Sequence, residues 1–378
     1  MASYARVLGV LLALAAQGAP KIEVITVGAG DDLFSHFGHA AVCIHEPGEP
    51  SSACYNYGTA DFSTPIPLTY RFLRGEAEFW VSVHPRSLMI ETFRREDRSI
   101  YSQTLRLPDP DARKLAELLR ASTAPDMRRY LYHHFRDNCT TRIRDALDTS
   151  LGGRLKAETS TVVLDVTFRD YAREGFVGIL PLQILTELIL GRPADARMSE
   201  WDAMFLPRDF QKSLSPRAPP VVIYSRKGPA LAGNPRAGSW ALALTGLGLG
   251  LLALSGSRAL RVLVFSVLGL AGSVLHVLAL FSGFPELRLN ENLMVLLPTD
   301  LLLVGATNQW TLRYAKARVG GLALVIVLLT SGILIQPLVG PITLVLPALL
   351  ALLARAHGRA DRDADTHDQG ADALDRGG

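Results

Sequence analysis

The stretch Tyr130-Leu131-Tyr132-His133-His134-Phe135-Arg136-Asp137-Asn138-Cys139-Thr140-Thr141-Arg142-Ile143-Arg144 places a cysteine at the start of a helix. Asp137 and Asn138 are good capping types, because a short side-chain oxygen can accept from the unpaired N–H groups of a first helical turn. Ile143, Ala146 and Leu147 then share one face at helical spacing. The free N–H groups and the helix dipole favour a thiolate at Cys139, the form that attacks carbonyl carbon. A backbone N–H of the same turn can help hold the resulting oxyanion. Position alone does not make a nucleophile, so the reading depends on finding a base.

That base is His39. Ser35-His36-Phe37-Gly38-His39-Ala40-Ala41-Val42 puts it at the start of a strand, after a glycine that permits close backbone approach. Four strands are expected here, at Lys21–Val27, His39–Ile44, Ala53–Tyr57 and Glu78–His84, with Pro47-Gly48-Glu49-Pro50 turning the second into the third. A helix is expected from Asp109-Pro110-Asp111-Ala112, and another from Cys139. A thiol at a helix N-terminus beside an imidazole on a strand is the papain-like arrangement. With His before Cys, the order resembles circularly permuted relatives such as the lecithin:retinol acyltransferase-like proteins.

The hairpin also suggests a third group. If Cys43 faces Cys54, paired indices sum to 97, Ala41 faces Asn56, and Asn56 shares the His39 face, diagonal to it. Its amide oxygen could then fix the imidazole tautomer. The same register predicts a Cys43–Cys54 disulfide, which a compartment outside the cytoplasm permits.

Composition separates two halves. The chain has 378 residues, 48% apolar and 20% charged, and its mean hydropathy of +0.20 is high for a soluble enzyme. Between Ala237 and Leu353 the acidic residues are Glu286, Glu291 and Asp300 alone. Disorder, collagen-like repeats and a single soluble globule are excluded. The net charge of +3 does not signal nucleic-acid binding, since runs such as Arg94-Arg95-Glu96-Asp97-Arg98 interleave the signs and no basic stripe carries aromatics.

Val7 to Ala16 follow Arg6 as a short apolar run ending in small residues, a secretory signal or an uncleaved anchor over residues 1–20. Five hydrophobic stretches follow, at about Trp240–Leu254, Leu260–Phe281, Leu293–Gly305, Gly320–Ile335 and Ile342–Leu353. Arg258 and Arg261, then Arg313, Lys316 and Arg318, then Arg355 and Arg359 mark alternate loops and the C-terminus as cytoplasmic. Residues 21–235 then lie outside, in agreement with the signal. The chain divides into that extracytoplasmic domain, a transmembrane domain over 236–356, and a solvated, disordered cytoplasmic tail over 357–378. The fold class is α+β, a circularly permuted papain-like cysteine domain followed by about five helical spans.

Other polar groups have plainer readings beside functional ones. His36, His39 and Cys43 form an incomplete ligand set for zinc, and no metal is expected. His133 and His134 read as solvated helix or loop residues. The glycines of Leu244–Leu252 read as small-residue helix packing, since no Lys-Ser/Thr follows for a phosphate loop. In the membrane half, Asn290, Asn292, Asp300 and His276 are candidates for binding a lipid head group, against the alternative that Asp300 simply pairs or snorkels near a helix end.

Three motifs then carry a resemblance over about Lys21 to Leu151. Ser35-x-Phe37-Gly38-His39-Ala40, Tyr55-Asn56-Tyr57-Gly58-Thr59-x-Asp61-Phe62, and the Tyr130–Arg144 stretch are similar to the Lnb N-terminal periplasmic domain family, and Asn290-x-Asn292-Leu293 with Pro298 resembles its membrane half. The resemblance implies Cys139 as nucleophile and His39 as base. It also implies lipoprotein N-acylation by intramolecular transacylation, moving an acyl chain from the diacylglycerol ester to the α-amine of the lipoprotein's terminal Cys. The expected substrate is a lipid or lipoprotein in a bacterial inner membrane, with the enzyme multi-pass, its catalytic domain periplasmic, and no cofactor. A cell-envelope cysteine peptidase or amidase, and a non-catalytic membrane sensor, are the alternatives.

Overall fold

The computed structural model describes residues 18–32, 35–305 and 308–375. Apart from its last three positions, the amino-terminal signal or anchor lies outside the described residues. Two compact units form: Met1–Phe168 with Arg197–Ala232, and Arg169–Ala196 with Gly233–Gly378.

In the first unit the strands are β1 (Lys21–Val27), β2 (His39–His45), β3 (Ala53–Thr59), β4 (Glu78–Pro85), β5 (Ile100–Leu105), β6 (Arg129–Leu131), β7 (Val163–Thr167), β8 (Arg197–Ser199) and β9 (Val221–Tyr224). Seven form one antiparallel sheet, ordered β6-β4-β3-β2-β1-β5-β9, and β7 pairs with β8 separately. The four expected strands appear close to the expected bounds. The short β6 and β9 lack a period long enough to read.

Because side chains alternate across a strand, the sheet buries two different faces. On one, Ile22, Val24, Val42, Tyr55 and Phe79 pack with Leu115 and Leu119 of the helix Asp109–Ala121 and with Ile143 and Leu147 of the helix Cys139–Ser150. On the other, Ile25, Val27, Ala41, Cys43 and Cys54 pack with Met89 and Ile90 of the helix Arg86–Arg95. Burial on both faces makes β1 and β2 near-continuous apolar runs. The helix carrying Cys139 is thus held against the sheet that carries His39.

Among its described residues the second unit contains three helices long and apolar enough to cross a membrane: Ala237–Leu254, Arg258–Phe281 and Val339–Gly358, the last being part of Val339–Asp375. A further helix, Gln309–Thr330, carries Arg313, Lys316 and Arg318 in its first half. The apolar stretch Leu293–Gly305 is not an α-helix. It forms two 3-10 segments, Glu291–Met294 and Pro298–Val304, and runs antiparallel along Arg258–Phe281. Gly272 faces the backbone of Leu296 and Leu297, Gly269 faces Leu301, and Arg261 Nη2 donates to the Gly305 carbonyl at 2.9 Å. A rise of about 2.0 Å per residue lets this short stretch cover a long neighbour.

The expected small-residue packing is present. A Cβ on Gly246 would collide with the backbone of Thr343, and one on Gly250 would stand 2.7 Å from Pro347 Cβ. Arg169–Ala196 joins this unit through polar bonds that hydropathy does not register: Gln183 Nε2 donates to the Asn234 carbonyl at 2.8 Å, and Arg192 Nη1 pairs with Glu291 at 3.1 Å. Within the segment, fully buried Arg169 donates to Asp195 at 2.7 and 2.8 Å and to the carbonyls of Thr186 and Leu190. The stretch read as a disordered tail is helical through Asp375. Its alanines are the strongest helix formers, and no proline follows Pro347 to stop the turn.

Candidate active site

Asn138 fixes where the helix that carries Cys139 begins. Its Oδ1 accepts from the N–H groups of Thr140 and Thr141, each at 2.9 Å, while Thr141 Oγ1 accepts from the Asn138 N–H at 2.8 Å. Its Nδ2 donates to the carbonyls of His134 and Phe205. The cap is therefore anchored on two sides, and Cys139 is the first residue of the helix. Asp137 grips Arg142 at 2.5 and 2.7 Å, and that guanidinium lies 4.2 Å from the centroid of the Tyr130 ring. The acidic residue beside the cap is thus neutralised before it can oppose a thiolate.

Gly38 delivers His39. Its φ of +79° is left-handed, and a Cβ there would stand 2.7 Å from the Val27 carbonyl oxygen, so glycine is required where the chain turns into β2. The register is the expected one: Val42 faces Tyr55, Cys43 faces Cys54 and Ile44 faces Ala53. Cys43 and Cys54 are joined by a disulfide, which also removes Cys43 from any metal set with His36 and His39. Asn56 reaches His39 across this hairpin, with its Oδ1 3.2 Å from His39 Nε2. Its Nδ2 donates to the Cys54 carbonyl at 3.1 Å, which orients the amide with oxygen toward the imidazole. Nε2 therefore carries the proton, and Nδ1 is the nitrogen left for the thiol.

Burial raises the pKa of the half-buried Cys139 thiol, but the His39 imidazole, the Ala40 N–H and the Thr140 hydroxyl outweigh it and bring the thiol down to about 7. Gly58 leaves room above it. At φ +88°, a Cβ there would meet Cys139 Cβ at 3.4 Å. Cys139, His39 and Asn56 thus meet at one place, a thiol, an imidazole and an orienting amide in series.

One other histidine, His134, differs from expectation. His134 is not solvated: its ring meets Phe37 at 4.4 Å, Phe135 at 5.2 Å and Phe205 at 5.9 Å. Burial first, then His133, lowers its pKa to about 4. Aromatic neighbours remote in sequence outweigh the local polarity from which it was read. Phe93 is an addition, its ring 5.6 Å from that of His39. It lies in a stretch whose charges conceal it.

In the second unit the four polar candidates have partners. Asn290 Nδ2 donates to the carbonyls of Leu188 and Ile189, and Asn292 Nδ2 to those of Glu187 and Leu188. Asp300 binds Arg318 at 2.7 and 2.8 Å and accepts from the Tyr314 hydroxyl at 3.0 Å. His276 Nδ1 donates to the Gly272 carbonyl one turn back at 2.8 Å.

A model of the Lnb N-terminal periplasmic domain matches residues 17–173, and a model of the Lnb transmembrane domain matches residues 233–358. The chain belongs to the Lnb family. The two matches cover most of the chain, and they make it a membrane protein with a periplasmic amino-terminal domain. No curated protein and no solved structure matches it. In this Lnb protein the Cys43–Cys54 bond suits the oxidising periplasm.

That bond makes the thiol directly measurable, because Cys139 is the remaining one of three cysteines. Alkylation of the unreduced protein by a neutral reagent is expected to accelerate through a midpoint near pH 7. The depressed value means that the reactive thiolate is present above this midpoint and is lost as pH falls through it. A midpoint at the ordinary value of about 8.5 would show that His39 does not support the thiolate.

Proposed function

We propose that this protein is a thiol-dependent acyltransferase of the inner membrane that N-acylates lipoproteins by intramolecular transacylation. The observation that carries the reading is the series Cys139–His39–Asn56 in a chain bearing both Lnb domains. The catalytic unit has the papain-like arrangement in permuted order, and the membrane unit crosses the bilayer five times, the 3-10 stretch included.

The Cys139 thiolate attacks the ester carbonyl of the diacylglyceryl group. Thr140 and Thr141 spend their N–H groups on the cap, which leaves the N–H of Cys139 itself to help hold the developing oxyanion. The C–O bond breaks, His39 returns the thiol proton to the leaving alkoxide, and a thioester remains on Cys139. The α-amine of the lipoprotein's terminal cysteine then attacks the thioester. His39 takes its proton, the C–S bond breaks, and the thiolate is regenerated. Thiolate is a good leaving group, so a thioester suits an amine acceptor. Asn56 holds the imidazole tautomer through both steps.

Mass spectrometry of lipoprotein amino-terminal peptides, from cells with and without the protein, tests this reading. The expected product is an N-acylated, lyso-glyceryl terminal cysteine that disappears with the gene. Unchanged lipoproteins beside altered cell-wall peptides would favour a peptidase or amidase instead.

A further inference from the structure

Arg98 closes the run Arg94-Arg95-Glu96-Asp97-Arg98, whose alternating signs suggest a solvated face. It is 5% exposed. Gly30 makes room for its stem, since a Cβ there would stand 3.0 Å from Arg98 Cδ. Its guanidinium lies over the Phe93 ring, 5.0 Å from the centroid, and Phe93 in turn lies 5.6 Å from the His39 ring. Nε donates to the Gly28 carbonyl at 3.0 Å, and Nη1 meets Glu96 at 3.2 Å. Nη2 is buried and finds no hydrogen-bond partner among the described residues.

A buried cation is normally matched by a buried anion. Here the matching carboxylate of Glu96 is 44% exposed, so solvent screens the anion more than the cation. Arg98 keeps its proton despite burial, and the opposite charges that act on it, Glu96 and Asp32, are both reached by solvent and so offset it only in part. We propose that Arg98 is a positioning residue for this site, held over Phe93, whose ring lies beside His39, so that its cation biases Cys139 toward the thiolate.

The other groups around the thiol do not supply that charge. Tyr130 and Tyr132 of the β6 region are held neutral chiefly by burial. Asp137 and Arg142 cancel as an ion pair. Asp32 and Glu96 act on Arg98 with the opposite sign, and Cys139 itself is among the groups that interact with it.

The inference deepens the reading of Cys139 as nucleophile, but alkylation tests it without any acyl substrate, so the two can fail separately. The unreduced full-length protein in detergent is treated with iodoacetamide across pH. Arg98→Met is expected to raise the Cys139 midpoint by about half a unit to one unit, slowing alkylation at pH 7 up to about five-fold. Arg98→Lys, which keeps the charge, leaves the midpoint near that of the parent. An unmoved midpoint in a normally melting Arg98→Met protein overturns the proposal. Equal shifts in Arg98→Met and Arg98→Lys also overturn it, because packing rather than charge would then be at work. If Arg98→Met does not fold, Glu96→Gln decides: freeing the cation from its screened partner should lower the midpoint, and no change overturns the proposal.

Discussion

A Cys139→Ser protein is expected to insert and fold as the parent does and to lose acyl transfer by on the order of 10³-fold or more. The substitution changes one atom at the start of a helix whose cap is built from Asn138 and Thr141, neither of which bonds the sulfur. The secondary structure therefore has no reason to move. The chemistry does change, because a hydroxyl ionises far above a thiol and needs stronger base catalysis than a His39–Asn56 pair beside a thiol of about 7 is set to supply. Transfer measured on a purified lipoprotein substrate in detergent checks the prediction. Activity near the parent level in Cys139→Ser would remove the nucleophile assignment.

Asp300→Ala is expected to act in the opposite way, destabilising the protein by about 3–5 kcal/mol while sparing activity per folded molecule. Asp300 is fully buried and Arg318 nearly so, and the carboxylate takes two guanidinium bonds and the Tyr314 hydroxyl. Removing it strands the Arg318 charge in an apolar interior. Denaturant titration in detergent, with activity normalised to folded protein, separates stability from function. Asp300→Leu combined with Arg318→Met should recover most of the loss, since both charges then leave together. A protein of unchanged stability that had lost activity would instead place Asp300 at the substrate.

The central site was legible because each of its parts follows a local rule. Asn138 before Cys139 announces a cap. Strand alternation and an index sum of 97 place Asn56 with His39, and the observed pairs Val42–Tyr55 and Ile44–Ala53 keep that sum. What was hidden depends on contacts between distant segments. Phe93 and Arg98 reach the site from a charged stretch whose composition suggests only solvent. His134 is packed against Phe37 and Phe205, which no local pattern links to it. Hydropathy located the run Leu293–Gly305 but could not distinguish 3-10 from α geometry, since Pro298 and the facing Gly269 and Gly272 decide the form through packing. Arg169 is an extreme case, a fully buried charge that ties together its own segment, Arg169–Ala196, through one carboxylate and three carbonyls spread over 26 residues of chain.

The account rests on acyl transfer through sulfur, and the most direct measurement is to capture the intermediate. The purified protein is mixed with a diacylglyceryl-modified peptide whose amino terminus is blocked, quenched in acid, and mapped by peptide mass spectrometry. The account predicts one acyl chain added to the peptide containing Cys139, removed by neutral hydroxylamine as a thioester requires and missing from the Cys139→Ser protein. Finding Cys139 unmodified in a protein that transfers acyl chains to an unblocked peptide would contradict it.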